Sequence, residues 1–253
     1  MVKLLYAGPS LSGATPDLGD IVLCPPAAHG DIARAVLQGA NAIGLVDGLF
    51  DAVAAVWHKE ILFALSRGVR VLGGASMGAL RAAECAPFGM EPVGRIAQSY
   101  ADGSRDDDAD VGLVHAPAEL GYLPLSEPIV DIEATLDHLV VLKLVTAHER
   151  LLMLAHARTV FFGDRTLDRL VPASLEPRRD NILAAYAAHH ISQKQQDALE
   201  LVGRLRSLPA GRDFTPRFTF AESPMWRRRL AAIAEEVGAR HGAPGPRGST
   251  TSP

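Results

Sequence analysis

The stretch that decides the fold is VRVLGGASMGALRAAEC, residues 69–85. It opens on a short apolar run, Val69–Leu72, narrows through Gly73, Gly74, Ala75 and Ser76, and continues from Gly78 to Cys85 as a helix that stops at Pro87. A strand, a tight turn and a helix in succession form the repeating unit of a parallel sheet. The residues upstream repeat that unit. Lys3–Tyr6 is an apolar run that stops at Gly8-Pro9, and Ile21–Cys24 is a second that stops at Pro25-Pro26. Asp31–Gln38 has helical character, with Asp31 as N-cap and Gly39 as stop. Ala42–Val46 is a third apolar run, ended by Asp47-Gly48, and Ala52–Ser66 reads as a long helix carrying Val53, Val56, Trp57, Ile61, Phe63 and Leu65. The strands are continuously apolar rather than alternating, as strands are when helices cover both faces. The expectation is an α/β fold, a doubly wound and mostly parallel sheet with ligands bound outside the carboxyl ends of its strands.

Downstream the character changes. Tyr100–Asp110 is polar and acidic and reads as a loop or a short turn of helix, Val111–His115 is strand-like, and Pro124 and Pro128 hold Tyr122–Pro128 extended. From Asp131 the chain turns helical, with segments at Asp131–Val145, Ala147–Arg158, Arg179–His189, Ser192–Leu205 and Ser223–Arg240. Three parts are expected: an α/β core over residues 1–130, a helical C-terminal module over 131–240, and a Gly/Pro/Ser/Thr-rich disordered tail over 241–253.

Composition narrows the function only by exclusion. The chain has 253 residues, 48% of them hydrophobic and 21% charged, which are ordinary globular values. A net charge of −4 argues against nucleic-acid and anionic-membrane partners, which call for a basic excess. No apolar stretch is long enough for a membrane span, and the N-terminus does not read as a secretory signal, so the expected location is cytoplasmic. Cys24 and Cys85 have no metal-ligand spacing and read as small buried hydrophobes. The Asp106-Asp107-Asp108 run lacks the spacing of an EF-hand loop and reads as a solvated face. Neither a metal nor a cofactor is expected.

The chemistry concentrates in Gly74-Ala75-Ser76-Met77-Gly78, a G-x-S-x-G pattern in the strand–turn–helix setting it requires. A serine on so sharp a turn needs small neighbours two residues before and after, and Gly74 and Gly78 supply them. Its hydroxyl then stands above the sheet, and the Met77 amide, at a helix N-terminus, is placed to stabilise an oxyanion. The same glycine run also reads as a plain turn that binds an anion through backbone amides.

A nucleophilic serine needs a base. His58 and Lys59, in Trp57-His58-Lys59-Glu60, are candidates, as is His115 at the end of a strand-like segment; each also reads as a surface or satisfied residue. Asp47, at a strand's carboxyl end, and Glu60 are acids suited to orienting a base, although Asp-Gly is ordinary turn chemistry too. Arg81 suits a carboxylate or thiocarboxylate, or an ion pair with Glu84 one turn away.

These residues carry a family resemblance. Trp57-His58-Lys59-Glu60-Ile61-Leu62, then Gly74–Glu84, then Phe88-Gly89-Met90 resemble the core of TfuA-like proteins. Pro25-Pro26 with Gly30-Asp31, Asp47-Gly48 with Phe50, Asp107-Asp108 and Leu125-Ser126-Glu127-Pro128 extend the likeness across residues 3–140. The resemblance implies a role beside YcaO-type enzymes in making peptide backbone thioamides. YcaO-type enzymes activate a peptide amide with ATP, and the TfuA-like partner helps supply sulfur. Its implied partners are a YcaO-type enzyme, a ThiS-like sulfur carrier protein ending in a thiocarboxylate, and the precursor peptide. On that reading Ser76 attacks the thiocarboxylate carbonyl and sulfide leaves. Two other readings stand beside it: a non-catalytic adaptor that gathers enzyme, peptide and sulfur donor, and a general serine hydrolase. A nucleotide-binding module is weaker, because the glycine run is neither a P-loop nor a G-x-G-x-x-G fingerprint.

Overall fold

A computed structural model describes residues 2–49 and 53–242. Five parallel strands, β1 (Val2–Tyr6), β2 (Ile21–Cys24), β3 (Ala40–Leu45), β4 (Arg70–Gly74) and β5 (Glu91–Val93), form one sheet in the order β2-β1-β3-β4-β5. The order reverses between β1 and β3, so a crevice opens outside the carboxyl ends of those two strands. The expected α/β architecture with a helical C-terminal part is the one found.

Alternation along the strands divides the core into two layers. On one face Leu4, Tyr6, Ile43, Leu45 and Val71 pack under α1 (Asp31–Leu37), α2 (His58–Ser66) and α3 (Met77–Cys85). On the other, Leu5, Ala42 and Leu72 have no helix from the first half of the chain over them. The β1–β2 connection contributes little more than Leu11 and Leu18 there. The cover comes from α8 (Gln193–Arg206), whose Ala198, Leu201, Val202 and Leu205 lie on the sheet. Gly44 faces it so closely that a Cβ would stand 2.7 Å from Leu201 Cδ2.

The last helix, α9 (Pro224–Gly242), returns to the first face. Its Trp226 is buried against Phe63 and Phe220, with ring centroids 5.3 and 5.7 Å away. Between β5 and α8, helix α4 (Gly94–Ala101) packs on α3 and α8. Three further helices, α5 (Ile129–Val141), α6 (Ala147–Thr159) and α7 (Arg179–Ala188), surround a separate cluster through Ile132, Leu136, Leu139, Met153, Ile182 and Tyr186. The residues expected as one helical module thus divide: α5–α7 enclose their own core, while α8 and α9 complete the sheet's two faces.

Four details differ from the expected elements. Helix α2 begins at His58, not Ala52; Val53–Trp57 is irregular, and Ala52 with Phe50 lies outside the described residues. Val111–His115 is not a ladder strand but makes one antiparallel bridge, His115 to Pro124. β5 and α4 arise in a stretch with no expected element. Most of the expected tail, residues 243–253, lies outside the described residues, and 241–242 end α9. Among the described residues no helix is long and apolar enough to cross a membrane.

Candidate active site at the carboxyl ends of the strands

The turn that presents Ser76 is tighter than its sequence pattern requires. Ser76 N donates to Gly74 O at 2.7 Å around Ala75, which has a φ of 63°. That is a three-residue γ-turn with a positive central φ, a rare and strained form for a residue with a Cβ. The strain sits on Ala75, one residue before the serine, and Ser76 itself has a φ of −124°. Helix α3 starts at once. Gly78 N donates to Val46 O at 3.0 Å, and a Cβ on Gly78 would stand 1.8 Å from Leu45 O. Only glycine lets the first turn of α3 cross β3 so closely. Gly74 ends β4 beside Val93.

Ser76 is 5% exposed, and among the described residues its hydroxyl has no hydrogen-bond partner. The Met77 amide, in the first helical position, also has no acceptor among them. Ser76 lies at a cavity of about 280 Å³ also lined by Asp47, Gly48, His115 and Lys194, with apolar walls that include Pro9, Leu113 and Phe162. This is the crevice expected of the strand order.

Asp47 follows β3 and is buried. Its Oδ2 accepts from Gly8 N at 2.8 Å and Ser10 N at 3.0 Å, and its Oδ1 accepts from Ser10 Oγ at 2.7 Å. The carboxylate therefore ties the loop after β1 to the end of β3 and brings Pro9 to the cavity wall. It makes no hydrogen bond to a histidine among the described residues.

His115 Nδ1 lies 2.8 Å from Ala116 O. A carbonyl only accepts, so Nδ1 carries a proton, and in the neutral ring it is Nε2 that holds the lone pair. The ring rests edge-on against Tyr122, centroids 5.6 Å apart.

Lys194 is a residue to which the sequence reading assigned no role. It stands in the first turn of α8, 1% exposed, and its Nζ donates to Val111 O at 2.9 Å. Burial pushes its ammonium pKa down, and the charges of Asp47 and Asp131 oppose that shift. Asp131 accepts from Lys194 N at 3.0 Å and Ser192 Oγ at 2.8 Å. Burial raises its carboxyl to about 6 against those two donors and the nearby lysine. A second chamber of about 270 Å³ adjoins the first through Pro9, Leu113 and Lys194. It holds Glu127 and His190, whose Oε2 and Nε2 are 3.1 Å apart.

The remaining sequence candidates are elsewhere. His58 Nε2 lies 2.7 Å from Glu84 Oε2, and Arg81 Nη1 donates to the same oxygen at 2.7 Å. Arg81 Nε is taken by Val56 O at 3.0 Å. Lys59 Nζ reaches Ala221 O and stands over the Phe220 ring. Glu60 is buried, but it accepts from Gly30 N at 2.9 Å and so caps α1; burial raises its carboxyl while these amides lower it. None of His58, Lys59, Glu60 or Arg81 lines the Ser76 cavity. Asp107 accepts from Ala109 N at 2.9 Å, capping one turn of chain. Among the described residues no group of three His, Cys, Asp or Glu side chains is placed to hold a metal ion.

Thus Ser76, Asp47 and His115 line one cavity together with Lys194, and Met77 follows Ser76 at the start of α3. A serine with no partner among the described residues, a histidine and a buried cation at one cavity are suited to acyl transfer. No curated protein shows significant similarity to the chain. Residues 47–166 match the model of the TfuA-like protein family, which supports a role in the YcaO-associated thioamidation system. Those residues, which hold Asp47, Ser76 and His115, are thus similar to TfuA-like proteins.

Proposed function

We propose that the protein releases sulfide from the thiocarboxylated C-terminus of a small ThiS-like carrier, for use by a YcaO-type partner acting on a precursor peptide. The observation that carries this reading is the Ser76 hydroxyl at a helix N-terminus, without a hydrogen-bond partner among the described residues, at a cavity that a buried lysine and His115 also line.

In the proposed reaction Ser76 Oγ attacks the terminal carbonyl carbon, and His115 Nε2 takes the serine proton. The Met77 amide and the Lys194 ammonium stabilise the negative oxygen and sulfur of the tetrahedral species. The carbon–sulfur bond then breaks. Sulfur takes the proton from His115 and leaves as hydrosulfide, and the carrier remains as an ester on Ser76. Water, deprotonated by His115, attacks that ester. The carrier departs with a carboxylate, one proton is released, and Ser76 regains its own. The sum is thiocarboxylate plus water to carboxylate, hydrosulfide and a proton. Asp47 acts at one remove in this scheme, by holding the Gly8–Leu11 loop against the cavity.

The test is sulfide release from a thiocarboxylated carrier by the wild-type protein and by Ser76→Ala, with intact-mass analysis of the enzyme. The expected result is release by the wild type, loss by the variant, and a transient adduct of carrier mass. Equal behaviour of the two proteins would replace the nucleophile with an adaptor. Turnover of generic esters without a carrier would point to a general serine hydrolase.

A further inference from the structure

One wall of the Ser76 cavity is a length of extended backbone with a free edge. Val114 turns both its backbone groups toward a neighbouring segment: its carbonyl accepts from Leu125 N at 2.8 Å and its amide donates to Ser126 Oγ at 2.8 Å. Ala116 N donates to Leu123 O at 2.8 Å, and His115 pairs with Pro124 in an antiparallel bridge. Backbone groups alternate from side to side along an extended chain, so Leu113 and His115 direct theirs to the other edge. Among the described residues, the amides and carbonyls of Leu113 and His115 have no hydrogen-bond partner. Leu113, Val114 and His115 all line the cavity.

Two further features of the cavity bear on what this edge receives. Lys194 is a fully buried cation whose ammonium, among the described residues, makes one hydrogen bond, to Val111 O, so two of its three donor positions are open to a ligand. Asp47 and Asp131 offset part of the cost of burying this ammonium, and a further anion on its open donor positions would add to that. The space is small: about 280 Å³ is at the lower limit for a ligand pocket and has room for small residues only.

We propose that the site reads an extended peptide C-terminus. Its last residues add as a short strand along Leu113 and His115, and its terminal carboxylate or thiocarboxylate meets Lys194 beside Ser76. Recognition is by main chain and charge, with small side chains required at the last two positions. This deepens the function proposed above, and only the delivery to Ser76 rests on it.

The test uses the full chain carrying Ser76→Ala and a fluorescein-labelled hexapeptide ending in Gly-Gly with a free carboxylate. Companion probes carry a C-terminal amide, a terminal Leu-Leu, or a single backbone N-methyl group at each position in turn. The carboxylate is expected to bind on the order of tenfold or more tighter than the amide, since a bond to a charged group is at stake. N-methylation should weaken binding about three- to tenfold at alternate positions and leave the intervening ones unchanged. Lys194→Met, its fold checked by circular dichroism, should remove the preference for carboxylate over amide. Absence of binding at millimolar peptide, equal binding of acid and amide, tolerance of Leu-Leu or an N-methyl scan without alternation would each overturn the proposal. The two readings separate cleanly. Alternation and charge preference without any sulfide release leave the recognition standing and remove the hydrolase. Ser76-dependent sulfide release with a flat scan does the reverse.

Discussion

Replacing Asp47 by alanine tests what that carboxylate does. Its side chain is 2% exposed and accepts three hydrogen bonds, from Gly8 N, Ser10 N and Ser10 Oγ. Alanine leaves all three donors without an acceptor in a buried place, at about 1–3 kcal/mol each. The Ser10 hydroxyl rotates and water enters the vacated volume, so the lower figure applies and the sum is about 3 kcal/mol. Ser10→Ala removes one donor and its partner's bond, and should cost about 1 kcal/mol. Urea denaturation followed by tryptophan fluorescence reads both. With an m-value of about 3 kcal/mol/M, Asp47→Ala should lower the midpoint by about 1 M and Ser10→Ala by about a third of that. The double variant should lose little beyond Asp47→Ala, since the two side chains share the bond. A midpoint change below about 0.3 M for Asp47→Ala would refute the assignment of Asp47 as the tie between the β1 and β3 loops.

Three more outcomes follow from the same contacts. Trp226→Ala, at the junction of Phe63 and Phe220, should cost about 3–5 kcal/mol and expose α9 to proteolysis ahead of global unfolding; limited digestion with mass mapping checks it. Burial pushes the Cys85 thiol up to about 12, so iodoacetamide at pH 8 should leave Cys85 unmodified in the native protein and label it in urea. The Glu127 hydrogen bond raises the pKa of His190, against burial, so its contribution to stability is complete below its ordinary pKa of about 6.5 and is lost as pH rises through the raised value. His190→Gln should therefore flatten the fall in urea midpoint on the alkaline side of 6.5, and an unchanged slope would remove that assignment.

The sheet was legible because continuous apolar runs such as Ala42–Val46 have few alternatives. β5 was not, because it is three residues long and contains Pro92, and α4 opens on Gly94, whose φ of 86° no helix signal encodes. The helix expected from Ala52 starts at His58, where Glu60 Oε1 receives the Trp57 amide at 3.3 Å. In the site, Asp47 and Ser76 were readable as residues at the ends of neighbouring strands. Which of His58, Lys59 and His115 lies at the Ser76 cavity was not, because it depends on which segments fold over the crevice. Lys194 lies 118 positions after Ser76, in a polar run that looks like a solvated surface. One signal was available. Lys194, Ala198, Leu201 and Leu205 fall at i, i+4, i+7 and i+11, so the lysine heads the stripe that α8 buries.

That placement sets an order in time. During synthesis the chain emerges from its N-terminus, so Ser76 and its γ-turn leave the ribosome long before α8 does. Until α8 docks, the second face of the sheet is bare and Lys194 is absent from the crevice. The last third of the chain thus acts as a completion signal: a nascent or truncated protein displays the serine but lacks the cation, and the same helix that buries the sheet's second face brings that cation to the site.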